Sequence, residues 1–250
     1  MNASTDSSES VAISRPPRFN ADMDSSVAEN LEQVRSAIAN AARRSGRKED
    51  EVDLMAVAKG RGPETVLEAV DAGQIHFGEN RVQEALHKIP LLPGRLTWSL
   101  IGHLQTNKVR KALSVFRQIH SVDSLDLARQ IDRIASEEGL FPEVYLQVNI
   151  AGEIGKSGFD PIDLEREFEE LLALDRLQIR GLMNIPPLAD EPEDSRVHFA
   201  ALREFRDRLS ETSGVPLPGL SMGMSDDYAV ALEEGATVVR VGTAIFGPRR

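Results

Sequence analysis

Short apolar runs alternate with amphipathic segments along most of this chain. The runs predict eight strands, over residues 52–58, 75–78, 97–102, 118–122, 143–149, 179–185, 220–223 and 237–242. Apolar residues at helical spacing follow each of the first seven runs, over residues 64–72, 80–88, 105–113, 124–138, 161–174, 194–212 and 226–234. Strands that alternate with helices predict parallel pairing with right-handed crossovers.

A further amphipathic helix is predicted ahead of the first strand. Its apolar positions are Val27, Leu31, Val34 and Ile38, and the helix spans residues 26–45. We expect it either to add an outer layer or to complete a ring of helices, because the eighth strand lies close to the end of the chain. Residues 1–24 are rich in Ser, Asp and Pro, so we predict that they form a flexible leader.

Eight strand–helix units predict a single α/β domain of the (β/α)8, or TIM-barrel, type over residues 25–250. A chain of 250 residues is typical of that fold. The alternative is a doubly wound open sheet. However, the segment after the first strand, AVAKGRGPE, lacks the glycine spacing of a dinucleotide-binding turn. The pattern therefore favours the closed barrel.

Composition narrows the class of protein. The formal net charge of -11 argues against a general nucleic-acid binder, which needs a basic surface. The chain contains no cysteine, which excludes disulfides, thiolate metal sites and a cysteine nucleophile. No apolar run approaches the roughly 20 residues of a membrane span, and the N-terminus lacks the apolar stretch of a signal peptide. We expect a soluble cytoplasmic protein.

Functional residues of a barrel lie at the C-terminal ends of its strands, so these positions hold the candidate chemistry. Lys59 follows the first strand. Partial burial there favours the neutral, nucleophilic form of an amine, as a Schiff-base lysine requires. The alternative is a surface lysine whose charged end stays in water.

Other strand ends carry weaker candidates. Asn80 follows the second strand and is either a site residue or a helix cap. His103 follows the third strand and is either an acid–base group or a structural hydrogen-bonding residue. Lys156 lies in a glycine-containing segment after the fifth strand, where we expect a mobile loop lysine. A second aldehyde-binding lysine is the alternative.

Small residues cluster after strands seven and eight, in the segments SMGMSDD and RVGTAIFGP. Ser225 is predicted to cap the following helix, while Gly242 and Thr243 are predicted to lie in a loop. Glycine allows close approach of the backbone, and hydroxyls and backbone N–H groups supply donors, so these residues predict a phosphate site. Arg240, on the last strand, is expected to point its positively charged guanidinium into the same site.

These segments resemble the pyridoxal phosphate homeostasis (YggS-type) family. The resemblance covers residues 26–247 and is carried by AVAKG, HFGENRVQEA, WSLIGHLQTNK, HSVDS, LQVNIAGEIGKSG, GLMNI, SMGMSDDYAVAL and TVVRVGTAIFG. The chain departs from the family's usual pattern at Ala58, Arg81 and Ser99, where many members have Ser, Tyr and His. These departures concern the rim of the site and leave the lysine and the phosphate-loop residues in place.

The resemblance implies a barrel similar to the N-terminal domain of bacterial alanine racemase, with pyridoxal 5′-phosphate as cofactor. It implies that the cofactor is held as a Schiff base on Lys59 and that Asn80 lies near it. It further implies that the phosphate contacts Ser225, Gly242 and Thr243 and that Arg240 faces the pyridine nitrogen.

The resemblance leaves a carrier and an enzyme as alternatives. An amino-acid racemase needs a base on each face of the α-carbon. In alanine racemases, a tyrosine from a separate C-terminal domain of a partner subunit supplies one of them. Here the sequence ends about eight residues after the last strand, so we expect that domain to be absent. Neither Tyr145 nor Tyr228 is an obvious replacement, which leaves His103 as the best remaining candidate.

We therefore favour a non-catalytic protein that buffers or delivers pyridoxal phosphate. Its expected partners are the cofactor and apo-enzymes that need it, and its expected state is a monomer. The racemase is the alternative. A third hypothesis is a sugar-phosphate enzyme that uses a lysine Schiff base.

Overall fold

The computed structural model describes residues 25–248 and contains a closed barrel of eight parallel strands. These strands are β1 (Asp53–Val57), β2 (His76–Glu79), β3 (Thr97–Leu100), β4 (Gln118–Val122), β5 (Glu143–Gln147), β6 (Gln178–Met183), β7 (Gly219–Ser221) and β8 (Val238–Val241). They pair in chain order, and β8 pairs with β1. The predicted barrel is confirmed, and the doubly wound alternative is wrong because the sheet has no open edge. The predicted leader, residues 1–24, lies outside the described residues.

Helices surround the barrel. They are α1 (Val27–Arg44), α2 (Pro63–Asp71), α3 (Val82–Lys88), α4 (Val109–Leu113), α5 (Leu125–Glu138), α6 (Pro161–Leu172), α7 (Arg196–Ser213), α8 (Tyr228–Glu233) and α9 (Thr243–Phe246). The segment predicted as a helix over residues 105–113 begins as a 3₁₀ turn at Thr106–Lys108. Within residues 25–248, no helix combines the length and the apolar character needed to cross a membrane.

Helix α1 completes the ring of helices. It begins after Ser26 because of a capping box: the Ser26 hydroxyl accepts from the Glu29 N–H at 3.3 Å, and the Glu29 carboxylate accepts from the Ser26 N–H at 2.8 Å. Its apolar stripe, including Leu31 and Val34, is fully buried. The helix packs against α8 and α9 on one side and α2 on the other. Of the two roles predicted for it, closing the ring is the one observed.

Alternate residues of each strand face opposite sides of the sheet, which gives two different environments. The outward side chains form the main core with the helices and include Phe77, Leu100 and Ile119. The inward side chains form a small apolar cluster of Met55, Tyr145, Met183 and Val238. Polar side chains are also buried in the barrel strands, among them His76, Ser99, His120, Ser221 and Arg240.

Strands β6 and β7 approach each other unusually closely at a glycine pair. Gly181 lies opposite Gly219, and a Cβ added to Gly181 would lie 1.9 Å from the Gly219 carbonyl oxygen. That atom is backbone, so it has little freedom to move aside. The pairing of these strands therefore requires glycine at residue 181.

We expect Gly181→Ala to destabilise the protein by about 3 kcal/mol, the upper end of the usual cost of overpacking, because the atom that the added Cβ meets is backbone. Chemical denaturation monitored by circular dichroism measures this change. Gly94→Ala is the matched control, since an added Cβ there meets nothing within 4 Å. Equal stabilities of the two variants would contradict the close-approach explanation.

Candidate functional site

Lys59 lies just beyond β1, at the C-terminal end of the barrel. The strand ends at Val57, one residue earlier than predicted, and the next residue continues the pairing through an Ala58 N–H bond to the Gly78 carbonyl at 2.9 Å. Ala58 is fully buried and Lys59 is half-buried. The lysine backbone is thus anchored to the sheet while its side chain starts at the barrel mouth.

Ser225 and Gly242 are in contact beside β1. The Ser225 hydroxyl oxygen accepts from the N–H groups of Gly242 and Ala244, at 3.2 and 3.3 Å. Gly242 lies so close to β1 that an added Cβ would be 3.3 Å from the Val57 carbonyl oxygen. The structure therefore brings the loop after β7, the loop after β8 and the end of β1 into one cluster.

Two details of this cluster differ from the sequence prediction. Ser225 does not cap α8: the residue before that helix is Asp227, whose carboxylate accepts from the Met224 N–H at 2.6 Å. Thr243 does not lie in a loop but opens the short helix α9, where it is exposed. Local sequence did not predict α9 because it is only four residues long.

Arg240 points into the barrel interior and is 4% exposed. Its guanidinium donates to the Ser221 carbonyl at 2.5 Å, to the Ser221 hydroxyl at 2.8 Å and to the Asn184 carbonyl at 2.7 Å. Burial lowers the pKa of Arg240 to about 10, an effect that the charge of Asp227 partly opposes, so the group is still a cation at neutral pH. These bonds connect Arg240 to the ends of β6 and β7, and not to the cluster that Ser225 and Gly242 form.

A chain of hydrogen bonds continues from Ser221 across the barrel. His120 Nδ1 lies 2.9 Å from the Ser221 hydroxyl, and His120 Nε2 lies 3.2 Å from Gln118 Oε1. The Gln118 amide donates to Glu143 at 2.7 Å. Burial raises the pKa of Glu143, but hydrogen bonds from Arg180 and Gln118 outweigh it and bring the pKa below its ordinary value. Glu143 is therefore an acceptor only.

That acceptor sets the direction of the bonds from Gln118 to Ser221. Gln118 must donate to Glu143 with its nitrogen, so its oxygen accepts from His120 Nε2–H. His120 Nδ1 then accepts from the Ser221 hydroxyl, whose oxygen accepts from Arg240. Burial, reinforced by the charges of His76 and Arg240, holds the pKa of His120 well below its ordinary value, which agrees with a neutral ring.

Two asparagine oxygens in the site are buried and lack a hydrogen-bond partner among residues 25–248. They are Asn80 Oδ1, at the end of β2, and Asn184 Oδ1, just after β6. Buried polar atoms are nearly always satisfied, so such atoms mark positions where a ligand or water binds. Asn80 was predicted as a site residue. Asn184 was missed, although it lies within the GLMNI motif.

The remaining candidates have ordinary surroundings. His103 is exposed, and its Nδ1 lies 2.8 Å from an Asp123 oxygen. Lys156 is exposed and forms an ion pair with Glu153. Within the described part of the chain, no group of three or more His, Asp or Glu side chains is arranged to hold a metal ion.

Comparisons with known proteins agree with this arrangement. Residues 29–250 match the family of the alanine racemase N-terminal domain. The pyridoxal phosphate homeostasis protein of Aquifex aeolicus is 44% identical over 223 residues, which cover 89% of this chain and 98% of that protein. The protein of the same name from Pseudomonas aeruginosa is 44% identical, over 90% of this chain and 96% of its own. The chain belongs to the pyridoxal phosphate homeostasis protein family.

Solved structures resemble this chain at two different levels of sequence identity. PipY of Synechococcus elongatus PCC7942, solved with pyridoxal phosphate bound, is 44% identical with a TM-score of 0.79, and the match covers 88% of this chain and all of PipY. Alanine racemase of Clostridium difficile 630 is 19% identical with a TM-score of 0.70, and the match covers 87% of this chain and 56% of the racemase. The racemase likeness therefore shows the shared barrel fold alone.

The low pKa of His120 predicts how this family member responds to acid. The unfolded chain binds a proton at this residue below about pH 6.5, while the folded protein does not. The contribution of His120 to stability is therefore present above that pH and lost as the pH falls, by up to about 1.4 kcal/mol per pH unit.

We expect His120→Gln to reduce the loss of stability between pH 7.5 and 5.5, measured by urea unfolding at each pH. An unchanged difference in that variant would show that His120 is not the responsible group. His198→Gln, which alters a histidine outside the hydrogen-bond chain, is the control.

Proposed function

We propose that this protein binds pyridoxal 5′-phosphate on the C-terminal face of the barrel and buffers or delivers it within the cell. The observation that carries the proposal is the position of Lys59 at the end of β1, beside the cluster that Ser225 and Gly242 form. When bound, the cofactor supplies an aldehyde that a lysine amine holds reversibly as a Schiff base. Lys59 is the proposed amine.

The phosphate is proposed to lie against Ser225, Gly242 and Thr243. In the structure, the Ser225 hydroxyl accepts from the N–H groups of Gly242 and Ala244, so three polar groups already converge at one point. Backbone N–H groups and hydroxyls are donors from which a phosphate oxygen accepts, and the two N–H groups that donate to Ser225 here are groups of that kind. Gly242 lies against β1, where a larger residue would push the two strands' ends apart.

Arg240 is proposed to face the pyridine nitrogen. Its hydrogen bonds to Ser221 and to the Asn184 carbonyl hold it as a fixed cation. A cation beside that nitrogen disfavours protonation of the ring, and an unprotonated ring withdraws electrons weakly. Asn80, with its unsatisfied buried oxygen, supports a ligand on the same side of the barrel. These features suit holding the cofactor better than activating it.

The racemase alternative lacks a convincing second base among the described residues. Tyr145 stacks on His120 inside the barrel, and burial raises its pKa to about 12. Tyr228 is 3% exposed, and burial raises its pKa as well. A buried tyrosine with a raised pKa is a poor base at neutral pH. His103 is exposed and paired with Asp123, so it is not part of the buried polar chain. These placements favour a carrier without robust turnover.

Delivery is proposed to occur to apo-enzymes in the cytoplasm, by a monomer. The absence of cysteine from all 250 residues suits a reducing compartment. A reversible Schiff base suits delivery, because a competing amine can release the aldehyde. Light scattering of the purified protein tests the monomer, and transfer of the cofactor to a pyridoxal-dependent apo-enzyme tests the delivery.

The lysine assignment predicts a visible absorption band when the protein is mixed with pyridoxal phosphate. Borohydride should bleach the band, because it reduces the Schiff base, and mass spectrometry should then locate the adduct on Lys59. Lys59→Ala should lack the band, and Lys111→Ala, which removes an exposed lysine of α4, should retain it. A band that persists in Lys59→Ala would make the assignment wrong.

The carrier and racemase hypotheses differ in turnover. We expect L-alanine and other single-enantiomer amino acids to keep their configuration during long incubation with the loaded protein, as measured by chiral chromatography. Racemisation at enzyme-like rates that Lys59→Ala abolishes would establish the enzyme instead. The sugar-phosphate hypothesis predicts a different result, namely a bound sugar phosphate and no visible band.

A further inference from the structure

A buried ion cluster lies directly behind Lys59, between the barrel wall and α3. Glu79, the last residue of β2, is fully buried, and Lys88, the last residue of α3, is 5% exposed. The Lys88 ammonium lies 2.5 Å from Glu79 Oε1 and 3.2 Å from Glu84 Oε1. Its third contact, at 2.8 Å, is with the carbonyl oxygen of Ala58. An ammonium group has three N–H donors, so all three are used.

The same cluster holds the backbone on the other side of Lys59. The Gly60 N–H donates to Glu84 Oε1 at 2.5 Å. Glu84 therefore receives one bond from Gly60 and one from Lys88, and Lys88 bonds to Ala58. The result is a bridge from the residue before Lys59, through two side chains of α3, to the residue after it.

The local backbone needs this support. The strand ends at Val57 and its pairing with β2 continues only through the Ala58 N–H, so no strand pairing fixes Lys59 and Gly60 themselves. Gly60 has a φ of +70°, in the left-handed region where the chain turns sharply away from the barrel. Such a turn has several accessible conformations in isolation. A turn bond from the Arg61 N–H to the Ala58 carbonyl, at 3.1 Å, restricts them, and the contacts from α3 restrict them further by holding groups on both sides of Lys59.

Stability alone is a weak reason for this cluster. Taking two charges out of water is costly, and a well-packed apolar pair of similar volume is often as stable. Burial raises the pKa of Glu79, although the hydrogen bond and charge of Lys88 oppose the rise. An apolar pair, however, could not bond to the Ala58 carbonyl or the Gly60 N–H. The polar identity of the cluster is explained by the backbone groups that it holds.

We propose that Glu84 and Lys88 are positioning residues for Lys59, a role that rests on the proposed Schiff base. They fix the backbone on both sides of Lys59, so that its side chain leaves the chain in a single direction toward the barrel mouth. An amine that is already held in its binding position loses less conformational entropy when it binds an aldehyde, so it binds more tightly. Helix α3 thus acts on the cofactor through the backbone and not by touching it.

Glu84 is the residue to vary, because it is partly exposed and its loss leaves the Lys88–Glu79 pair intact. Glu84→Ala removes the acceptor for Gly60. Glu84→Gln keeps an oxygen there, and Glu84→Asp keeps the charge but withdraws it by one methylene. Glu68→Ala, on the exposed face of α2, is the matched control. Circular dichroism at the assay temperature establishes that each variant is folded.

Two readouts test the role. In the protein without cofactor, amide hydrogen exchange of the segment 58–62 should be faster in Glu84→Ala and Glu84→Asp than in wild type, Glu84→Gln and Glu68→Ala. In titrations with pyridoxal phosphate followed by the visible band, the first two variants should bind about tenfold more weakly or worse, which is the usual effect of losing one hydrogen bond to a charged group. Glu84→Gln should remain close to wild type.

The outcomes separate this proposal from the proposed function. Unchanged exchange and unchanged affinity in folded Glu84→Ala, with the band still lost in Lys59→Ala, would overturn the positioning role alone. Faster exchange with unchanged affinity would likewise overturn it, because the backbone would then be irrelevant to binding. A band that survives in Lys59→Ala would overturn the Schiff base on Lys59, whatever the exchange data show. If Glu84→Ala does not fold, the comparison of Glu84→Asp with Glu84→Gln decides the proposal.

Discussion

The pairing of β8 with β1 is the contact on which the candidate site depends. It closes the barrel, with Asp53 opposite Val238 and Ala56 opposite Val241. Because the strands are parallel, their C-terminal ends meet at one face, and the loop after β8 comes to lie against the end of β1. Gly242 then packs on Val57, two residues before Lys59. Without this closure, the proposed lysine and the proposed phosphate cluster would belong to opposite edges of a sheet.

Closure also creates a barrel interior in which polar groups must bond to one another. Arg240 is buried there, and its position is tolerated because two carbonyl oxygens and the Ser221 hydroxyl accept its hydrogen bonds. The bonds that lead from Ser221 to Glu143 have a direction that the Glu143 carboxylate sets, through Gln118 and a neutral His120. Arg240 can only donate, so it joins this chain as its terminal donor. The barrel interior is therefore filled by hydrogen-bonded polar side chains as well as by apolar ones.

The helices contribute more than a covering layer. Helix α1 fills the gap between the last and first helices of the ring. Its own apolar stripe is buried there, against α2, α8 and α9. Helix α3 reaches the backbone around Lys59 with one lysine and one glutamate. In both cases, residues distant from the candidate ligand set the geometry of the residues that face it.

Hydrophobic periodicity predicts the eight strands, most of the helices and the closed barrel, because it reflects which face of each element is buried. Boundaries differed by a residue or two, and α9 and the 3₁₀ start of α4 were missed because such short turns depend on their neighbours. Motifs also singled out Lys59, Asn80, Ser225 and Gly242. The tertiary structure decided the rest. The contact of Arg240 with Ser221, the stacking of His120 on Tyr145 and the bridge from Lys88 to Ala58 each join residues separated by 19 to 30 positions. Such contacts depend on strand register and on the orientation of helices, which no local pattern encodes.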